Sequence, residues 1–95
     1  MQFSFIVGTI ERHQVDFSFD QMIGNLEIRV DGQPAVKDLR MFSVSLTKRY
    51  EFTVGNQERH QVVIEKKRKL FLAGLRPQRY RIFIDGTLTQ TYEGQ

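Results

Sequence analysis

Ninety-five residues with a formal net charge of +3 suit one domain, with surface enough to bury for one compact core. Zero cysteines exclude a disulfide framework, thiol chemistry and a cysteine–zinc site. The longest apolar run, Leu70 to Leu75, has six residues, whereas a transmembrane helix needs ~20.

No Lys or Arg opens the chain at Met1-Gln2-Phe3-Ser4, and no long apolar stretch follows, so no signal peptide is expected. With no cysteine to oxidise, a cytoplasmic setting is the expectation. Eight Phe, three Tyr, eight Val, seven Ile and six Thr stand against two Ala. Pleated sheets favour β-branched and aromatic side chains, so the composition points to strands rather than helices.

The elements follow in chain order. Phe3, Phe5 and Val7 alternate with Ser4 and Ile6, and Gly8 breaks the run. His13, Val15, Phe17 and Phe19 then alternate with Gln14, Asp16 and Ser18, a clear period of two. Leu26, Ile28 and Val30 form a third alternating run, and Asp31-Gly32 closes it with a hairpin signal. Residues 34–46 are less regular and suit a bulged strand or a short helical turn. Tyr50, Phe52 and Val54 alternate up to Gly55, and His60, Val62 and Ile64 follow. Tyr80, Ile82 and Ile84 alternate before Asp85-Gly86, and Leu88, Gln90 and Tyr92 end the series. About eight strands result, each with one apolar face. Such strands must cover one another, so an all-β antiparallel β-sandwich or a closed barrel is expected. The core expected from this phase contains Phe5, Val7, Val15, Phe17, Leu26, Ile28 and Val30, matched later by Phe52, Val54, Val62, Ile64, Tyr80, Ile82 and Ile84.

The chain also repeats itself. Residues 5–15 and 52–62 share eight of eleven identities at an offset of 47. Ile28-Arg29-Val30-Asp31-Gly32 then matches Ile82-Phe83-Ile84-Asp85-Gly86 at an offset of 54. Two copies are too few for a solenoid. A single domain of two similar halves, about 3–46 and 50–93, closed by a pseudo-twofold axis, is the better picture.

The second copy carries a family resemblance. Phe52-Thr53-Val54-Gly55-Asn56, a short strand, the basic run Lys66-Lys67-Arg68-Lys69 and then Tyr80-Arg81-Ile82-Phe83-Ile84-Asp85-Gly86 resemble the Fas apoptosis inhibitory molecule family. Val30-Asp31-Gly32 stands at the family's Val-Asp-Gly position in the first half. The resemblance spans about residues 5–92 and covers one domain, where animal members look like two in tandem. It implies an antiparallel β-sandwich without a catalytic centre, acting by binding, as members do in restraining death-receptor apoptosis.

No constellation for chemistry stands out. There is no Gly-x-Ser-x-Gly elbow, no phosphate loop and no cysteine nucleophile, so no enzyme and no cofactor are expected. The repeated Glu-Arg-His-Gln tetrad places Glu11 and His13, and Glu58 and His60, at i and i+2, on one face of a strand. Two His and two Glu meeting on the axis could ligate zinc. The preferred reading is a strand-end His bonded locally, and no metal is expected.

Binding is better represented. Residues 59–81 hold eight basic residues and one acidic, against six basic and ten acidic elsewhere. The candidate surface is Lys66, Lys67, Arg68, Lys69, Arg76, Arg79 and Arg81. An unknown protein partner is the expected ligand, and nucleic acid the alternative. Cations on an exposed hairpin would also discourage edge pairing. No amphipathic helix or lipid motif points to a membrane. Leu70, Phe71, Leu72 and Leu75 are expected to cap the sandwich or meet a partner. The terminal runs 2–7 and 87–92 should be sheet edges. The latter has no charge, so a homodimer would use it or the basic insert.

Overall fold

A computed structural model describes residues 1–20, 25–34, 39–44, 46–68 and 78–94. The strands are β1 (Gln2–Val7), β2 (His13–Asp20), β3 (Asn25–Val30), β4 (Gln33–Pro34), β5 (Arg40–Val44), β6 (Thr47–Val54), β7 (His60–Arg68), β8 (Gln78–Ile84) and β9 (Thr87–Gly94). They form two antiparallel sheets, ordered β1-β2-β3-β4 and β5-β6-β7-β8-β9. The architecture is an antiparallel β-sandwich. Among the described residues no helix is long and apolar enough to cross a membrane. Lys69, Arg76 and the apolar run 70–75 lie outside the described residues.

Each repeated unit builds a sheet of its own. Phe5 sits on β1 as Phe52 does on β6, Val15 on β2 as Val62 on β7, and Ile28 on β3 as Ile82 on β8. Adjacent hairpins keep each half local. The irregular segment supplies β5, and β5 pairs with β6 with Met41 opposite Tyr50. Among the described residues the first sheet runs to Pro34 and the second starts at Arg40. As expected for the terminal runs, β1 and β9 are sheet edges.

Alternation decides which side chains meet between the sheets. In β1, Phe3, Phe5 and Val7 are buried while Gln2, Ser4 and Ile6 are exposed. Opposite them lie Tyr50, Phe52, Val62, Ile64, Tyr80 and Ile82. Aromatic contacts cross from sheet to sheet: the Phe17 ring lies 5.1 Å from Tyr80 and 6.4 Å from Tyr50, and Phe3 lies 4.4 Å from Tyr92. Leu26, Val30 and Ile84 are only partly buried, at the margin of the core. Both Asp-Gly turns have positive φ at both residues, 52° and 80° at Asp31-Gly32 and 52° and 82° at Asp85-Gly86. That is the two-residue hairpin geometry whose twist matches the strands.

Candidate functional site

Two polar regions compete for a role: the paired tetrads and the basic stretch of β7 and β8. The tetrads begin in the loops that leave β1 and β6. Gly8 and Gly55 have φ of 102° and 103°, and each turns its loop so that three successive N–H groups point the same way. The Glu58 carboxylate accepts N–H bonds from Thr9, Ile10 and Glu11 at 2.8, 2.8 and 3.0 Å. Glu11 returns the arrangement, accepting from Asn56, Gln57 and Glu58 at 2.7, 2.9 and 3.4 Å. Arg12 Nε and Arg59 Nε each donate to a carbonyl of their own loop, Thr9 at 3.4 Å and Asn56 at 3.2 Å. Each half thus places its carboxylate in a nest of amides from the other, as a twofold relation requires.

The histidines tie this lock to the hairpins. His13 Nε2 lies 2.5 Å from Glu11 Oε2, and its Nδ1 bonds Asp31. His60 Nε2 lies 2.5 Å from Glu58 Oε2, and its Nδ1 lies 2.6 Å from Asp85 Oδ2. Asp31 and Asp85 also accept the backbone N–H of Gln14 and Gln61 at 2.8 and 2.9 Å. Sequence reading took both Asp residues as turn formers alone. Their second role rests on the antiparallel register, which carries each turn back beside the first residues of β2 or β7.

The carboxylates hold protons on the rings. Asp31 first and Glu11 next raise His13 above its ordinary 6.5, and Asp85 and Glu58 do the same for His60. The imidazole of His13 and the amides of Gln57 and Asn56 pull Glu11 down to about 2; His60 and the opposite loop do so for Glu58. A metal ligand must be a neutral imidazole with a free lone pair. Here both nitrogens of each ring face a carboxylate, and each Glu is committed to the opposite loop. His13, His60, Glu11 and Glu58 are brought together as a cross-brace, and among the described residues no cluster is disposed to hold a metal ion.

The signs give a pH profile. The histidine contribution is fully present below 6.5 and is lost as pH rises through the raised folded-state value. The glutamate contribution is fully present above 4.5 and is lost as pH falls towards 2. Stability measured by urea denaturation should therefore peak between 4.5 and 6.5. His13→Gln with His60→Gln should flatten the alkaline limb, and Glu11→Gln with Glu58→Gln the acid limb. Limbs unchanged in those variants would contradict the cross-brace.

The basic residues do not form one surface. Lys66 to Arg68 continue β7 instead of leaving it as a loop, so alternation divides them between two faces. Lys67 points outward and is exposed. Lys66 points inward, is 2% exposed, and holds its ammonium 3.5 Å from the centre of the Phe19 ring. Lys66 thus departs from the expected solvent-facing patch. Arg68 shares its inward phase and is half-buried. On the outer face, Arg79 bonds Glu93 at 3.1 Å and Arg81 pairs with Glu65. Their pairing follows from register, which sets Arg81 opposite Glu65 and Arg79 opposite Glu93.

Sequence reading offered a bulged strand or a helical turn for residues 34–46; the strand is β5, and it joins the second sheet, not the first. All five of its residues are exposed, Met41 at 61%, Phe42 at 48% and Val44 at 75% among them. Apolar points without a clean period were the signal that left strand and helical turn both open.

A scan against protein-family models, a search of curated proteins and a search of solved structures each found no match to this chain.

Proposed function

We propose that this protein is a non-enzymatic protein-interaction module, cytoplasmic, of the binding kind to which the Fas apoptosis inhibitory molecule resemblance points. The observation that carries the reading is β5. It ends its sheet, so among the described strands one row of its backbone donors and acceptors has no neighbour. It exposes Met41, Phe42 and Val44 beside that open edge. Unpaired edges are templates for another strand, and clustered exposed apolar residues mark contact surfaces. The partner is an extended protein segment that adds a strand to β5. The outward cations Lys67, Arg79 and Arg81 lie two and three strands from that edge, on the outer face of the same sheet.

Nucleic acid is less well served. Two of those three cations already carry a carboxylate, Glu65 or Glu93, which reduces the charge available to phosphates. The salt dependence should accordingly be shallower than that of a phosphate-binding groove.

The test is affinity capture with the wild type and with Phe42→Lys/Val44→Lys, each with and without nuclease, followed by reconstitution from purified components. Both substitutions fall on exposed positions, so the fold is expected to survive. A protein partner that withstands nuclease and binds the wild type at least about tenfold tighter than the variant supports the reading. Nuclease-sensitive capture alone would replace it with nucleic-acid binding through the basic residues. Equal binding to both proteins would remove β5 from the interface.

A further inference from the structure

The inward faces of β6, β7 and β8 become polar at one end of the second sheet. Lys48 lies opposite Lys66 in register, and Arg68 lies opposite Gln78. Among the described residues Leu46, Lys48, Lys66 and Arg68 line a cavity of about 120 Å³ beside β6 and β7. That is well below the ~300 Å³ at which drug-sized sites begin, and it suits a small ion.

The charged residues described in its lining are all positive. Among the described residues Lys48, Lys66 and Arg68 form no ion pair. Burial first, then the charges of Lys48 and Arg68, push Lys66 down to about 8. Its ammonium lies over the face of Phe19. The register partner of Arg68 shows the same imbalance. Gln78 is wholly buried, and its Oε1 accepts from the Tyr80 hydroxyl at 3.1 Å. Its Nε2 has no acceptor.

Among the described residues this end of the fold buries an ammonium, gathers two more cations beside it and leaves an amide donor unanswered, an excess of donors. Burying charge without a partner is unfavourable, so the arrangement calls for a ligand of opposite character. A phosphate dianion offers three charged acceptor oxygens beside a single hydroxyl and matches the planar fork of arginine. We propose that this end of the sandwich is a binding site for a phosphate dianion, held by Lys48, Lys66 and Arg68. The site is separate from the β5 edge and does not rest on the docking reading.

Inorganic phosphate is the probe, titrated into the full chain at constant ionic strength by calorimetry and by thermal unfolding. Saturable binding with a Kd of about 1 mM or tighter is expected, together with a rise in Tm. Lys66→Met keeps the length of the side chain and should weaken binding at least about tenfold. Lys67→Met, one residue away on the outer face, should leave it unchanged. If Lys66→Met fails to fold, Arg68→Gln, which is half-buried, serves in its place. Acetate tests whether any carboxylate suffices, and a phosphoserine peptide tests whether the phosphate can come attached to a protein. Absence of saturation would overturn the proposal, as would equal loss in the Lys66 and Lys67 variants, which indicates diffuse charge attraction. Equal affinity for acetate would overturn the assignment to phosphate.

Discussion

Gly55→Ala is expected to destabilise the protein by about 3 kcal/mol or more, and Gly8→Ala by a similar amount. Two costs combine. Each glycine has φ near +100°, a region that L side chains rarely adopt. A Cβ there would also collide with a backbone carbonyl, that of Glu58 at Gly55 and that of Glu11 at Gly8. Backbone cannot swing aside as a side-chain tip can. Relief would require the loop to open, and that loop presents the amides that receive the opposite glutamate. The damage should therefore cross to the other half. In Gly55→Ala, amide exchange should accelerate at Thr9, Ile10 and Glu11 as well as at Asn56 to Glu58. Gly32→Ala is the control: φ there is also positive, at 80°, but nothing lies within 4 Å of the added carbon. Its cost should be nearer 1 kcal/mol. Equal effects at Gly55 and Gly32 would show that backbone conformation alone matters, and that the close approach to Glu58 does not.

Phe17→Ala should cost about 3–5 kcal/mol, a large share of the ~5–15 kcal/mol available to a domain of this size. Phe17 is 1% exposed on the central part of β2. Its ring stacks on Phe3 at 4.7 Å and meets Tyr80 and Tyr50 of the facing sheet. Truncation removes aromatic contacts on both sides of the interface and leaves a void that two rigid sheets cannot close. Urea denaturation should show a lower midpoint with an unchanged slope. Ile10→Ser supplies the contrast, since Ile10 is 94% exposed and its removal should be close to neutral. A Phe17→Ala cost under about 1 kcal/mol would mean that the sheets do not pack around this ring.

The two substitutions probe features of different legibility. Phe17 was placed in the core by the alternation of β2, and the glycines were marked by the repeat and by the runs they interrupt. The hairpins at Asp31-Gly32 and Asp85-Gly86 were equally plain. All of these follow from steric preferences of a residue and its near neighbours.

The basic run shows where such reading fails. Four consecutive cations look like one exposed feature, yet a strand has two faces. Because β7 continues to Arg68, the period of two carries Lys66 inside and leaves Lys67 outside. Like charges carry no hydropathy contrast, so nothing in the run itself marks the inward phase. β5 stayed undecided between strand and helical turn for the opposite reason: exposed throughout, it has no buried face to imprint a period.

By itself the sequence determined the all-β class, the strands with one buried side, the turns and the division into two similar halves. Only the tertiary structure decided that each half is a sheet, that β5 joins the second, and that Glu11 and Glu58 exchange places in each other's loops. Those carboxylates bond amides 45 to 49 positions away. Such contacts depend on how one sheet is laid on the other. That relation arises from the summed packing of the core and leaves no period in the chain.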